Sequence, residues 1–302
     1  MSSFDRSLVD NARQLLSSIP GVRDASSDAI HDARVVARRL RAALDVIERS
    51  QVAPRFEEAA RLVRATGRAL GRARDVDVSL ALLADLERRA TPGAKAITMA
   101  RLELVRERAA ARRRMVKRID SLQLDRLPIL VSGAIPRVDR VIAARARERA
   151  RELAELIDRA SGVYFPRRAH AARIGIKRLR YLLEFGGVGE NGQLKSLRKS
   201  QQILGDIQDR KVLHDLVADQ RRADRDGDGA DDEREALLAM LEAESIELYA
   251  KFLELREDLL ALCHRVAASP RRHTPAAAMV GVAALAAGTL WHTRHRRLAA
   301  GA

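Results

Sequence analysis

His31, Arg34, Arg38 and Arg41 follow one another at spacings of 3, 4 and 3 in the segment HDARVVARRLRAALD, residues 31–45. On a helix turning about 100° per residue they fall within an arc of about 80°, with Val36, Leu40, Leu44 and Ile47 on the opposite side. His170, Arg173, Lys177 and Arg180 repeat this arrangement in HAARIGIKRLRYLLE, residues 170–184, with Ile176, Leu179, Leu182 and Leu183 opposite. Such a row is a donor array for phosphate, because each guanidinium fork can grip two oxygens and stays charged at any physiological pH. Histidine adds a donor whose protonation a neighbouring phosphate favours. Arg61, Arg64, Arg68 and Arg72 form a further stripe, and Lys195, Arg198 and Lys199 its weaker counterpart.

A single charge stripe is ordinarily a solvated helix face. Three features point further. The first turns of the paired stripes carry no acid at i+4, since Asp45 and Glu184 come only at the end. The His-Arg spacing recurs in both halves of the chain. Several stripes in series also suit a long polyanion better than a compact ligand. Asp75, Asp77 and Asp209 follow Gly71 and Gly205, where helix junctions are predicted, and are expected to orient neighbouring arginines. Capping the next helix is their alternative role.

The composition agrees with a polyanionic partner. The 302 residues hold 56 Lys+Arg against 41 Asp+Glu, a formal net charge of +15, and only 7 of the basic residues are lysine. A sequence pI near 11.0 makes nucleic acid, an anionic membrane surface or another phosphate polymer the natural partners. Aromatic residues are only 3%, which argues against a reader of single-stranded nucleic acid that needs stacking platforms. Cys263 is the sole cysteine, which excludes an intrachain disulfide and any zinc site built from several thiolates.

Positioning these side chains requires helices, and strand signals are almost absent. Helical periodicity predicts segments 4–18, 27–49, 55–70, 74–90, 94–119, 137–160, 166–185, 192–204, 206–222, 232–267 and 276–298, an all-α protein of antiparallel hairpins. The sequence also repeats internally. His31, Ala33, Arg34 and Arg38-Arg39-Leu40-Arg41 align with His170, Ala172, Arg173 and Lys177-Arg178-Leu179-Arg180 at an offset of 139. Leu70-Gly71, Asp75 and Val78 align with Leu204-Gly205, Asp209 and Val212 at an offset of 134. Two ordered motifs at nearly one offset predict two similar four-helix-type bundles, 4–120 and 137–267, joined by a linker at 121–136. An Ala-rich, basic-flanked tail occupies 268–302.

On the motifs HDARVVARRLRAALD, LGRARDVDV, HAARIGIKRLRYLLE and LGDIQD the chain resembles the CHAD family, the helical domain named for its conserved histidines. The resemblance spans residues 4–267. It implies two four-helix bundles related by a pseudo-two-fold, with a basic cavity between them that binds inorganic polyphosphate. The ligand-facing set it implies is His31, Arg34, Arg38, Arg41, His170, Arg173, Lys177 and Arg180. To these the reading of the residues adds Arg61, Arg64, Arg68, Lys195, Arg198 and Lys199. The expected function is therefore non-catalytic polyphosphate binding with no required cofactor. Sequence-nonspecific nucleic-acid binding is the runner-up, and a metal-dependent phosphohydrolase comes third. The last reading would start from His31-Asp32, but it needs an upstream histidine, and the second copy reads His170-Ala171. The N-terminal MSSFDRSLVDNARQ lacks the apolar core of a secretory signal, so a cytoplasmic protein is expected, free or associated with polyphosphate or other granules.

Two segments carry separate expectations. Asp224, Asp226, Asp228, Gly229, Asp232 and Glu235 match positions 1, 3, 5, 6, 9 and 12 of an EF-hand calcium loop. Asp231 stands at position 8 where an apolar residue is usual, so the alternatives are a weak, isolated calcium site and a plain acidic hairpin tip. The uncharged stretch 276–291 is shorter than the ~20 residues needed to span a bilayer. It reads as a terminal helix, with membrane or granule-surface contact as the alternative.

Overall fold

A capping box starts the first helix. The Asp5 backbone N–H donates to Ser2 Oγ, and the Ser2 N–H donates back to Asp5 Oδ2. In the computed structural model, which describes residues 2–48, 54–89, 93–187, 189, 191–223 and 230–269, every regular element is helical. In chain order these are α1 (Ser3–Arg23), α2 (Ser27–Glu48), α3 (Pro54–Arg88), α4 (Ala94–Asp120), a 3-10 turn (Leu124–Arg126), α5 (Leu127–Leu130), α6 (Val138–Ala160), α7 (Pro166–Gly186), α8 (Asn191–Ala223), α9 (Ala230–Leu253) and α10 (Arg256–Ala268). Consecutive helices pack as antiparallel neighbours, α1 on α2, α2 on α3, α3 on α4, then α6 on α7, α7 on α8 and α8 on α9.

The apolar sides of the two basic-striped helices are buried as their periodicity requires. Val36, Leu40, Leu44 and Ile47 of α2 and Ile176, Leu179, Leu182 and Leu183 of α7 are nearly inaccessible. They belong to one continuous core that runs from Phe4 to Val266 and draws on both halves of the chain. Each fully buried leucine contributes about 1.5–3 kcal/mol of hydrophobic stabilisation. A smaller core, including Leu83, Leu86, Leu104, Leu213, Leu237 and Leu241, joins the tips of the α3–α4 and α8–α9 hairpins. Residues Met1–Ser269 thus form one compact unit in which the two predicted bundles share their interior. The predicted linker 121–136 is partly helical, and α5 packs on α1 and α3, with Leu124, Leu127, Leu130 and Val131 buried.

Several predicted boundaries move. Gly71 and Gly205 are not helix junctions: α3 runs unbroken through the first and α8 through the second. A glycine inside a helix costs only about 1 kcal/mol relative to alanine, which packing along a long helix easily offsets. The predicted helix 232–267 divides at Glu254-Leu255 into α9 and α10, without a glycine or proline to mark the break. The tail helix 276–298 and the loop acids Asp224, Asp226 and Asp228 lie outside the described residues. Asp232 and Glu235 are exposed residues at the start of α9.

Candidate functional site

The polar face of α2 meets the polar face of α7. Arg34 and Arg38 come from α2 and Arg173 and Lys177 from α7, all of them partly buried. Each half of the chain adds residues from its next helix, Arg74 and Asp75 from α3 and Asp209 from α8. The Arg34 guanidinium is held from two sides: Nη2 donates to Asp75 Oδ1 at 3.2 Å, and Nη1 reaches the Gly67 carbonyl oxygen at 3.5 Å. Gly71 makes room for it, because a Cβ there would stand 3.3 Å from Arg34 Nη1.

The electrostatics are those of an undercompensated cationic cluster. Burial first, and then the Arg173, Arg38 and Arg34 charges, push the Lys177 ammonium down to about 7, against the weaker pull of Asp209. Arg38, Arg74 and Arg173 are each lowered by burial first; the Arg34 charge adds to the lowering of all three, against the pull of Asp209. Burial raises the Asp209 carboxyl, although Arg173 and Arg74 act against that shift. The Nε atoms of Arg38 and Arg173 are buried and have no hydrogen-bond partner among the described residues. Buried donors of this kind are costly when left unpaired, and like charges held together in a partly dry site repel strongly. An anion entering between α2 and α7 would relieve both.

Arg180 differs from its neighbours. It is buried, with Nη1 donating to Glu184 Oε1 at 2.7 Å, Nε donating to Gln201 at 2.9 Å, and its guanidinium 4.2 Å above the Tyr181 ring. Arg198 of α8 donates to the same Glu184 oxygen at 2.9 Å. Both predicted cations are therefore partly neutralised by one carboxylate. The structure places the remaining predicted residues at the periphery. Arg41, Arg61, Lys195 and Lys199 are exposed, without an ion pair among the described residues. Arg64 is half-buried, and Arg68 turns toward α4.

The two histidines stand in different surroundings. His31 is half-buried beside Arg74 and Arg38, and burial first, then Arg74, hold its pKa below the usual value. His170 is exposed, with Nδ1 2.6 Å from Gln208 Oε1. At the repeat's offset of 134, Gln208 is the counterpart of Arg74, so one histidine neighbours a cation and the other an amide. Of the predicted orienting acids, Asp75 holds Arg34 and Asp209 faces Arg173 and Arg74. Asp77, with a side chain 4% exposed, binds Arg108 at 2.8 Å and Arg112 at 3.3 Å on α4. It therefore braces α3 against α4. None of the three caps a helix, because α3 and α8 continue past them.

Arg74 escaped the sequence reading. The signal for it was present: Gly67, Gly71, Arg74, Asp75 and Val78 share one face of α3 at helical spacing, and Gly71 marks a close approach on that face. No group of three or more His, Cys, Asp or Glu able to hold a metal ion occurs among the described residues. No described helix is long and apolar enough to cross a membrane.

Comparison with known proteins identifies the family and the fold. The family model for the CHAD domain matches residues 7–218. The crystal structure of the CHAD domain from the plant Ricinus communis is similar, with 22% identity, 87% of this chain and 90% of that chain covered, and a TM-score of 0.66. PptA from Streptomyces chartreusis is similar at 18% identity, over 87% of this chain and 98% of that chain, with a TM-score of 0.60. No curated protein matches the chain.

Proposed function

The chain belongs to the CHAD domain family, and from that premise we propose that it is a non-catalytic binder of inorganic polyphosphate, seated between α2 and α7. The observation that supports this reading most directly is the facing of Arg34 and Arg38 against Arg173 and Lys177, with the buried Nε donors of Arg38 and Arg173 unpartnered among the described residues. Polyphosphate carries about one negative charge per phosphate and presents neither base edges nor apolar surface. A site for it needs charge-assisted donors in series and no stacking platforms. The cluster supplies the first, and the 3% aromatic content matches the second.

The non-catalytic part of the proposal rests on the acids. Asp75 engages Arg34, and Asp209 lies in the field of Arg173 and Arg74, so the charge of each acid is answered by arginines. Asp75 thereby fixes the Arg34 guanidinium. The cytoplasm, free or at a polyphosphate granule, is the setting proposed for this activity.

Competition settles the partner. Polyphosphate is expected to displace duplex DNA from the protein at near-physiological salt, where attraction by charge alone has weakened steeply for both. Preferential retention of DNA would replace this reading with nucleic-acid binding. Phosphate release from polyphosphate in the presence of added divalent metal would overturn the non-catalytic part.

A further inference from the structure

The α3 stripe does not join the buried cluster as a whole. Its outer members, Arg68 and Arg72, line a groove of about 270 Å³ together with Arg114 and Arg118 of α4, above small residues such as Ala65 and Ala111. Arg72 is pinned at the rim by Glu107. Arg68, Arg114 and Arg118 have no ion pair among the described residues, so the groove carries a net positive charge. Its floor, Ala65, Ala69 and Ala111 with Met115, is small enough in most places to leave space between the arginines.

The groove is close to the cluster by construction. Arg34 touches the Gly67 carbonyl and abuts Gly71, and the residues immediately after these glycines are Arg68 and Arg72. One helical residue later means a rotation of about 100°, so the cluster and the groove occupy adjacent faces of a rod only about 10–12 Å wide. Arg64, between them at helical spacing, borders both faces.

We propose that the α3–α4 groove, with Arg68, Arg114 and Arg118 as its donors, is a second seat for the same polyphosphate chain, so that long chains bind across α3 at two places. The inference rests on the polyphosphate reading above and adds a dependence on chain length. Once the first stretch is held between α2 and α7, contact with the groove becomes intramolecular, and the effective concentration of the next phosphates is high. A chain too short to cross α3 gains nothing from the groove.

The test compares tripolyphosphate with a long-chain polyphosphate preparation, using the full chain and the double variant Arg114→Glu/Arg118→Glu. Both positions are exposed on α4, so unchanged helicity and melting temperature are expected and serve as the folding control. The unmodified protein should bind the long chain at least about tenfold more tightly than tripolyphosphate, expressed per chain. The double variant should lose about tenfold for the long chain and stay within about twofold for tripolyphosphate. Its binding of the long chain should also depend less on salt, because fewer phosphates are contacted. Equal loss for both ligands, or no loss for the long chain, overturns the second seat while leaving the first intact. Failure of the unmodified protein to bind either ligand overturns the underlying reading as well.

Discussion

Arg34 on α2 and Asp75 on α3 are joined at 3.2 Å, and this pair sets the direction in which a cation of the candidate site points. Without Asp75 only the long 3.5 Å contact to the Gly67 carbonyl would hold the guanidinium against swinging toward bulk water. The pair is modest in energy, since both side chains are partly exposed, at 27% and 44%, and such bridges contribute at most about 1 kcal/mol. Its value is geometric. An arginine fixed before the ligand arrives loses less side-chain entropy on binding.

Charge reversal tests whether α2 and α7 contribute to one site. Arg38→Glu and Lys177→Glu are each expected to weaken polyphosphate binding at least tenfold, about 1.4 kcal/mol. The two losses should not simply add, because the residues act on each other directly. Binding titrations of both single variants and the double variant, with circular dichroism to confirm helicity, measure this. Undiminished affinity in the double variant would remove the α2–α7 site.

Lys177 makes binding depend on pH. With its ammonium pushed down to about 7, the free protein holds this proton below that pH and releases it above, whereas a bound phosphate favours the charged form. Affinity should therefore fall as pH rises from 6 to above 8, and Lys177→Arg, which stays charged, should flatten the profile. Stability runs the other way. The unfolded chain keeps the lysine proton up to its ordinary value of 10.5, so between about 7 and 10.5 the unfolded state binds more protons and stability increases with pH. Lys177→Met should accordingly raise the melting temperature at pH 6 and leave it little changed at pH 10. Calorimetry at the two pH values distinguishes these outcomes.

Gly71→Ala should separate stability from binding. Alanine favours the helix by up to about 1 kcal/mol, but its Cβ would stand 3.3 Å from Arg34 Nη1 and displace the guanidinium. We expect a slightly higher melting temperature together with severalfold weaker polyphosphate binding. Gly205→Ala, where a Cβ meets nothing within 4 Å, should stabilise α8 without the loss of affinity. Equal affinities for the two variants would show that the approach of Arg34 to Gly71 has no role in the site.

The histidines should respond unequally. His31 lies among Arg74 and Arg38 and is held below its ordinary pKa, so ligand binding should draw a proton onto it. His170 is exposed and already engages Gln208. His31→Gln is expected to reduce affinity a few-fold at pH 6 and to remove part of the pH dependence, while His170→Gln reduces it less. Histidine proton resonances followed through a polyphosphate titration check the assignment: His31 should move to the protonated form and His170 should shift little. Identical behaviour of the two would contradict it.

Helical class, the buried faces of α2 and α7 and the two repeated basic stripes were legible in the sequence, because each depends on periodicity within about twenty residues. Arg34, Arg38, Arg173 and Lys177 were all identified that way. Spacing places Glu184 one turn after Arg180, but it could not show that Arg198 shares that carboxylate, since Arg198 comes from another helix. Nor could it show that Asp77 serves Arg108 and Arg112, or that Arg68 turns from the α3 stripe to a groove shared with Arg114 and Arg118. Glycine was misleading at positions 71 and 205, where long-range packing carries α3 and α8 straight through. The lowered pKa of Lys177 belongs to the tertiary structure, apart from the contribution of Arg173, a turn away on the same helix. It requires burial and the arrival of Arg34 and Arg38 from a helix about 140 residues earlier, and a charge's energy depends on which charges fold against it. Sequence determines which side chains a helix presents; only the docking of distant helices decides which of them share one field.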